Sequence, residues 1–109
     1  MSEPTPNRAD FFRALADSTR RAVYERLTVK EMSVSELKAG FAVSQPAISQ
    51  HLAVLRTAGL VAERRDGRMT RYRAAPDALA PLAAWVERYR TFWPERLDKL
   101  QAVLKEMDQ

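Results

Sequence analysis

The chain contains no cysteine, which excludes a disulfide framework and any thiolate metal site. The same absence fits a reducing, cytoplasmic setting. A single histidine, His51, stands without a second histidine or a carboxylate partner near it in sequence. Metal binding and general-base catalysis at His51 therefore lack support, and a polar surface or half-buried role is the simpler expectation. Apolar runs are short, far below the roughly 20 residues of a membrane span. The opening MSEPTPNRAD carries acid and proline but no apolar stretch, so it is not a signal peptide, and residues 1–7 read as a flexible tail. There is no internal repeat, phosphate-cradling loop, or paired nucleophile and base, so an enzyme and a bound cofactor are not expected.

What is present is basic charge, unevenly placed. The 109 residues, enough for one domain, carry a net charge of +4. Between Ser44 and Ala75 lie Arg56, Arg64, Arg65, Arg68, Arg71 and Arg73 against Glu63 and Asp66, while the remainder balances twelve bases with twelve acids. All the excess charge thus sits in about a third of the chain. Such clustering is the footprint of a nucleic-acid binder, with a merely solvated basic face as the plain alternative.

Helical spacing of Phe11, Phe12 and Leu15 predicts a first helix near 8–16. Asp17 or Ser18 then caps a second, near 18–29, that buries Val23 and Leu27. Ser35 is expected to cap a short third helix over 36–41, anchored by Leu37 and Phe41. In AVSQPAISQHLAVLRTAGLV, Ser44 is a natural N-cap and Pro46 lies in the first turn. Ile48, Leu52 and Leu55 form an inward stripe, and Gly59 ends a helix placed at 45–58. Residues 60–65 and 69–74 predict two strands around an Asp66-Gly67 turn. From Asp77 to Met107 the pattern is helical, interrupted by Pro94, and a kinked or nearly continuous helix over about 77–107 is favoured over two helices. The resulting order, α-α-α-α-β-β-α, is mainly helical with a small β-hairpin and describes a winged helix-turn-helix spanning residues 8–109.

The capped helix at 45–58 is the candidate recognition helix. Near its N-terminus it offers Ser44, Gln45, Pro46, Ala47, Ser49, Gln50 and His51. Glutamine can bond adenine twice, small side chains can touch a thymine methyl, and serine can bond a base or phosphate. The free N–H groups at Ser44 suit a phosphate. Arg64, Arg65, Arg68 and Arg71 flank the hairpin turn and, with Arg56, are candidate backbone or minor-groove contacts. Charge on an exposed strand also discourages aggregation, so some of these arginines are expected to serve the strand face. Trp85, Tyr89, Phe92 and Trp93 cluster on the last helix beside Leu82, Val86, Leu97, Leu100 and Leu104. Joined by Phe11, Phe12 and Leu15, they are expected to form a homodimer interface, with a ligand pocket as the alternative.

Three stretches then become familiar: LADSTRR, SQPAISQHLAVLRTAGLV and RRDGR. Over roughly residues 10–75 the chain resembles the ArsR/SmtB family of bacterial repressors. The resemblance implies a dimeric winged-helix repressor whose first and last helices form the interface, with the helix at 45–58 in the major groove and the wing alongside. Metal-sensing members carry Glu-Leu-Cys-Val-Cys-Asp-Leu where this chain has Glu31-Met32-Ser33-Val34-Ser35-Glu36-Leu37. Serine hydroxyls replace both thiolates, and the last helix has no histidine, which points to a non-metal branch.

The expected function is sequence-specific binding of double-stranded promoter DNA at a palindromic operator, with repression by covering the promoter. An adaptor that binds only other proteins is the alternative, since fold does not fix function. A small organic ligand or a protein remains open as effector.

Overall fold

Asp17 separates the first two helices because its carboxylate serves the second one. In the computed structural model, which describes residues 8–92 and 94–107, Asp17 Oδ1 accepts the Arg20 N–H at 2.9 Å. That bond, supplying a free N–H of the first turn, is the main reason the Asp17 carboxyl lies below its ordinary value. It starts α2 (Ser18–Val29) directly after α1 (Arg8–Leu15). The carbonyls ending α1 are closed by two arginines. Arg21 donates to the Leu15 carbonyl at 2.9 Å, and Arg20 Nη1 reaches those of Arg13 and Ala14 at 3.4 and 3.3 Å. Cations at a helix C-terminus also suit its dipole. The expected tail at 1–7 and Trp93 lie outside the described residues, as does the Leu97 side chain.

After α2 the chain forms β1 (Met32–Ser33) and α3 (Val34–Lys38). The third helix therefore starts earlier than 36, with Ser33 rather than Ser35 as its cap. Ser33 Oγ accepts the Glu36 N–H at 3.2 Å, and Glu36 Oε1 accepts the Ser33 N–H at 3.1 Å. This reciprocal box satisfies two orphan donors, which Ser35 has no partner to match. Phe41 falls beyond the helix, where the Arg26 guanidinium lies 5.0 Å from its ring centre and Arg26 Nη2 donates to the Gly40 carbonyl at 3.5 Å. The turn between α3 and α4 is thus pinned from α2 by a cation–π contact.

The next helix, α4 (Gln45–Thr57), is closed at both ends as expected. Ser44 Oγ accepts the Ala47 N–H at 3.2 Å. At the other end Gly59 takes φ 78°. Its N–H bonds the Arg56 carbonyl, and that of Leu60 bonds the Leu55 carbonyl, both at 2.9 Å. These are the two bonds of a Schellman motif, which needs a left-handed residue where Gly59 stands. Ile48, Leu52 and Leu55 are buried with Val23, Leu27, Leu37 and Leu60. This core holds α4 against α2, α3 and β2.

Strands β2 (Val61–Asp66) and β3 (Met69–Ala74) pair antiparallel, with Asp66 opposite Met69. The turn residues are therefore Gly67 and Arg68, one place later than expected, and Gly67 carries the positive φ of 65° that a leading residue in a two-residue turn requires. β1 adds to the far edge of β3, pairing Met32 with Tyr72 and Ser33 with Arg71. The sheet thus has three strands in the order β1-β3-β2.

Residues from Ala80 onward form a second compact unit. They make two helices, α5 (Ala80–Arg90) and α6 (Pro94–Met107), instead of one kinked helix. Pro94 occupies the first position of α6, where its missing N–H is not needed. No described residue of α5 is buried. The helical bundle with its small antiparallel sheet is a winged helix-turn-helix.

Candidate nucleic-acid interface

Two features meet at the surface of the first unit: the outer side of α4 and the β2–β3 hairpin. With the α4 apolar stripe turned inward, Gln45, Pro46, Ser49 and Gln50 are exposed and Ala47 is half-buried. The amides and the hydroxyl are thus presented on a helix whose rotation is limited by its core. His51 is not among the exposed residues. It is half-buried, and its Nδ1 accepts from Arg20 Nε at 3.4 Å.

The wing arginines divide into two groups. Arg64 and Arg71 stand directly opposite each other across β2 and β3. Like charges so placed repel unless neutralised, and both are neutralised. Arg64 forms a forked pair with Glu31. Arg71 Nη1 donates to Glu36 Oε1 at 2.9 Å, and its Nε to Asp66 Oδ2 at 3.0 Å. Hydrogen bonding to Glu31 raises the Arg64 guanidinium above its ordinary value, and bonding to Asp66 does the same for Arg71. The carboxyls move the opposite way. Glu31 is lowered chiefly by Arg64, and Glu36 first by the Ser33 N–H, with Arg71 adding to it. Arg56 is also engaged, its Nη1 lying 3.0 Å from Glu63 Oε1, which ties the end of α4 to β2. Arg65 and Arg68 remain exposed, and among the described residues neither makes an ion pair or side-chain hydrogen bond. The cationic tip of the wing is therefore Arg65 and Arg68, while Arg56, Arg64 and Arg71 brace its base.

Local sequence suggests that some of these arginines serve the strand but not which ones, because two acids of the brace, Glu31 and Glu36, lie more than thirty residues from their arginines. Both functioned on sequence only as markers of a family motif. A soft metal does not fit this segment: Ser33 Oγ is buried and engaged as a helix cap, and a neutral hydroxyl is a poor ligand for a thiophilic ion.

Of the apolar residues expected at an interface, Phe11 belongs to the core of its own chain, being 4% exposed. Leu15, Leu82 and Trp85 are half-buried, and Phe12, Val86, Tyr89, Phe92, Leu100 and Leu104 are exposed. Trp85 and Tyr89 lie against each other along α5 with their rings tilted by 55° and ring centres 5.1 Å apart.

Residues 15–64 match the family described as helix-turn-helix domain. Over 87 residues the chain is 46% identical to the HTH-type transcriptional regulator Rv2034 of Mycobacterium tuberculosis, covering 80% of this chain and 79% of that protein. It is 34% identical to the arsenical resistance operon repressor of Escherichia coli, covering 88% and 80% of the two chains. Among solved structures, an ArsR-like transcriptional regulator from Rhodococcus sp. RHA1 superposes with a TM-score of 0.71 at 36% identity, over 87% of this chain and 90% of that one. A possible transcriptional regulator for arsenical resistance gives a TM-score of 0.69 at 45% identity, over 85% and 94%. A braced wing beside a capped, polar-faced helix, shared with regulators over most of their length, makes this chain a member of the ArsR family of DNA-binding transcriptional regulators.

Proposed function

We propose that the chain is a repressor that binds a palindromic promoter operator as a homodimer. The first part of α4 enters the major groove, with Gln45, Ser49 and Gln50 reading base edges and Ala47 meeting a thymine methyl. Arg65 and Arg68 at the wing tip hold phosphates or the adjacent minor groove. Arg56, Arg64 and Arg71 act indirectly, by fixing where that tip stands. Two copies place their α4 helices one turn of DNA, about 34–36 Å, or a small multiple of it apart, so the operator has two related half-sites. Phe12, Val86, Tyr89 and Phe92, large apolar groups left exposed on one chain, supply the dimer contact.

The single observation that carries this proposal is the exposed amide face of α4 beside a wing tip whose two arginines have no acid partner among the described residues. A gel shift with a duplex selected from a random pool, against a shuffled duplex, tests it. Gln50→Ala should weaken the selected duplex by about 1–3 kcal/mol and leave the shuffled one nearly unchanged. Equal losses on both would remove Gln50 from base reading.

A further inference from the structure

We propose that Arg20 is a positioning residue for base reading, fixing the rotation of α4 by holding His51 against the end of α1. One guanidinium joins three helices. Arg20 stands on α2, its Nη1 donates to the Arg13 and Ala14 carbonyls that end α1, and its Nε donates to His51 Nδ1 on α4. Asp17 fixes the start of the helix that carries Arg20, its Oδ1 accepting the Arg20 backbone N–H at 2.9 Å.

The rest of the α4 seat is apolar. Ile48, Leu52 and Leu55 fix its depth, but apolar burial is non-directional and tolerates a small rotation about the helix axis. Side-chain tips lie about 5–6 Å from that axis, so a rotation of about 10° carries one by about 1 Å. A shift of that size is enough to spoil a paired hydrogen bond to a base. The bond at His51 is directional, and His51 adjoins Gln50 in the segment that reads. Its anchor at the other end is the last turn of α1, the helix that also carries the exposed Phe12. Placement of the reading face is thereby tied to α1.

This inference rests on α4 reading the duplex, and the experiment separates the two. Affinities are measured for a duplex that the wild-type protein selects from a random pool and for a shuffled duplex of equal composition. Arg20→Lys keeps the charge but cannot span the three acceptors. It should weaken the selected duplex about tenfold, a loss on the scale of one disrupted base contact, and leave the shuffled duplex and the salt slope unchanged. His51→Leu should give a similar loss, and the double variant should be no worse than either single one. His51→Gln, whose amide oxygen can accept from Arg20, should retain part of the preference. If Arg20→Lys fails to fold by circular dichroism, the two His51 variants still decide, because His51→Gln matching His51→Leu overturns the proposal. Additive losses, or a lower salt slope in Arg20→Lys, overturn it too. A wild-type protein without preference between the two duplexes overturns base reading by α4 and this inference with it.

Discussion

The division of the wing arginines makes a quantitative prediction. Protein that neutralises a phosphate releases condensed counterions, and each such contact adds about 0.9 to the slope of log affinity against log salt. Arg68 is exposed at the turn and makes no ion pair among the described residues, whereas Arg71 is bonded to both Glu36 and Asp66. Arg68→Ala should therefore lower the slope by about 1.8 when both copies in a dimer lose the contact. Between about 50 and about 200 mM salt, that makes the variant's affinity about 12-fold less salt-sensitive than wild type. Arg71→Ala removes the same formal charge but no phosphate contact, so its slope should stay near wild type even if its affinity falls through a displaced wing. Fluorescence anisotropy on one labelled duplex across a salt series reads both. An unchanged slope in Arg68→Ala, or equal drops in the two variants, would refute the assignment of tip and brace.

Other consequences follow from the same contacts. Leu52 is 1% exposed in the core under α4, so Leu52→Ala should lower unfolding free energy by about 2–5 kcal/mol in urea titrations; a loss below about 1 kcal/mol would mean that the site collapses around the gap. Asp17, Glu31 and Glu36 are all held below their ordinary carboxyl values by hydrogen bonds and nearby arginines. Their contribution to stability is complete above the unfolded-state values and is lost as pH falls through the lowered folded-state ones. The thermal midpoint should drop across that acidic window, and Glu36→Gln should flatten part of the drop; a variant curve parallel to wild type would exclude Glu36 as a source. Phe92, 72% exposed, is assigned to the dimer, so Phe92→Asp should raise the dissociation constant by about tenfold or more in sedimentation velocity, because an interfacial aromatic carries much of the binding energy. An unchanged mass distribution would place the interface elsewhere.

Local signals carried the helix-turn-helix a long way. Ser44, Pro46 and Gly59 announce the ends of α4 because caps are decided within a few residues. The stripe at Ile48, Leu52 and Leu55 announces its buried face for the same reason. The start of α3 was decidable but ambiguous, with two serines two places apart, and Glu36 selects Ser33 because it stands three residues beyond. Pro94 was harder. Apolar residues recur in helical steps on both sides of it, so periodicity favours one kinked helix although a proline also suits the first turn of a new one. β1 has two residues and exists by pairing with Arg71 and Tyr72, a partner far down the chain that no short window contains. Arg20 and His51, 31 residues apart, are joined in the same way.

The charge pattern shows why distance in sequence matters for function here. Six arginines in one third of the chain look like a uniform cationic patch, yet acids from outside that segment engage two of them. Glu31 and Glu36 flank Ser33 where related metal sensors are expected to carry a thiolate. In this chain the flanks anchor the wing, Glu31 to Arg64 and Glu36 to Arg71, while Ser33 is consumed as the cap of α3. Residues 31–36 thereby set both the start of α3 and the base of the hairpin. A change in this short segment is felt at the two elements that flank α4. Net charge attracts a duplex from any direction, but the acids hold Arg56, Arg64 and Arg71 and leave Arg65, Arg68 and Arg73 outside any ion pair among the described residues, with Arg65 and Arg68 at the wing tip proposed to meet it.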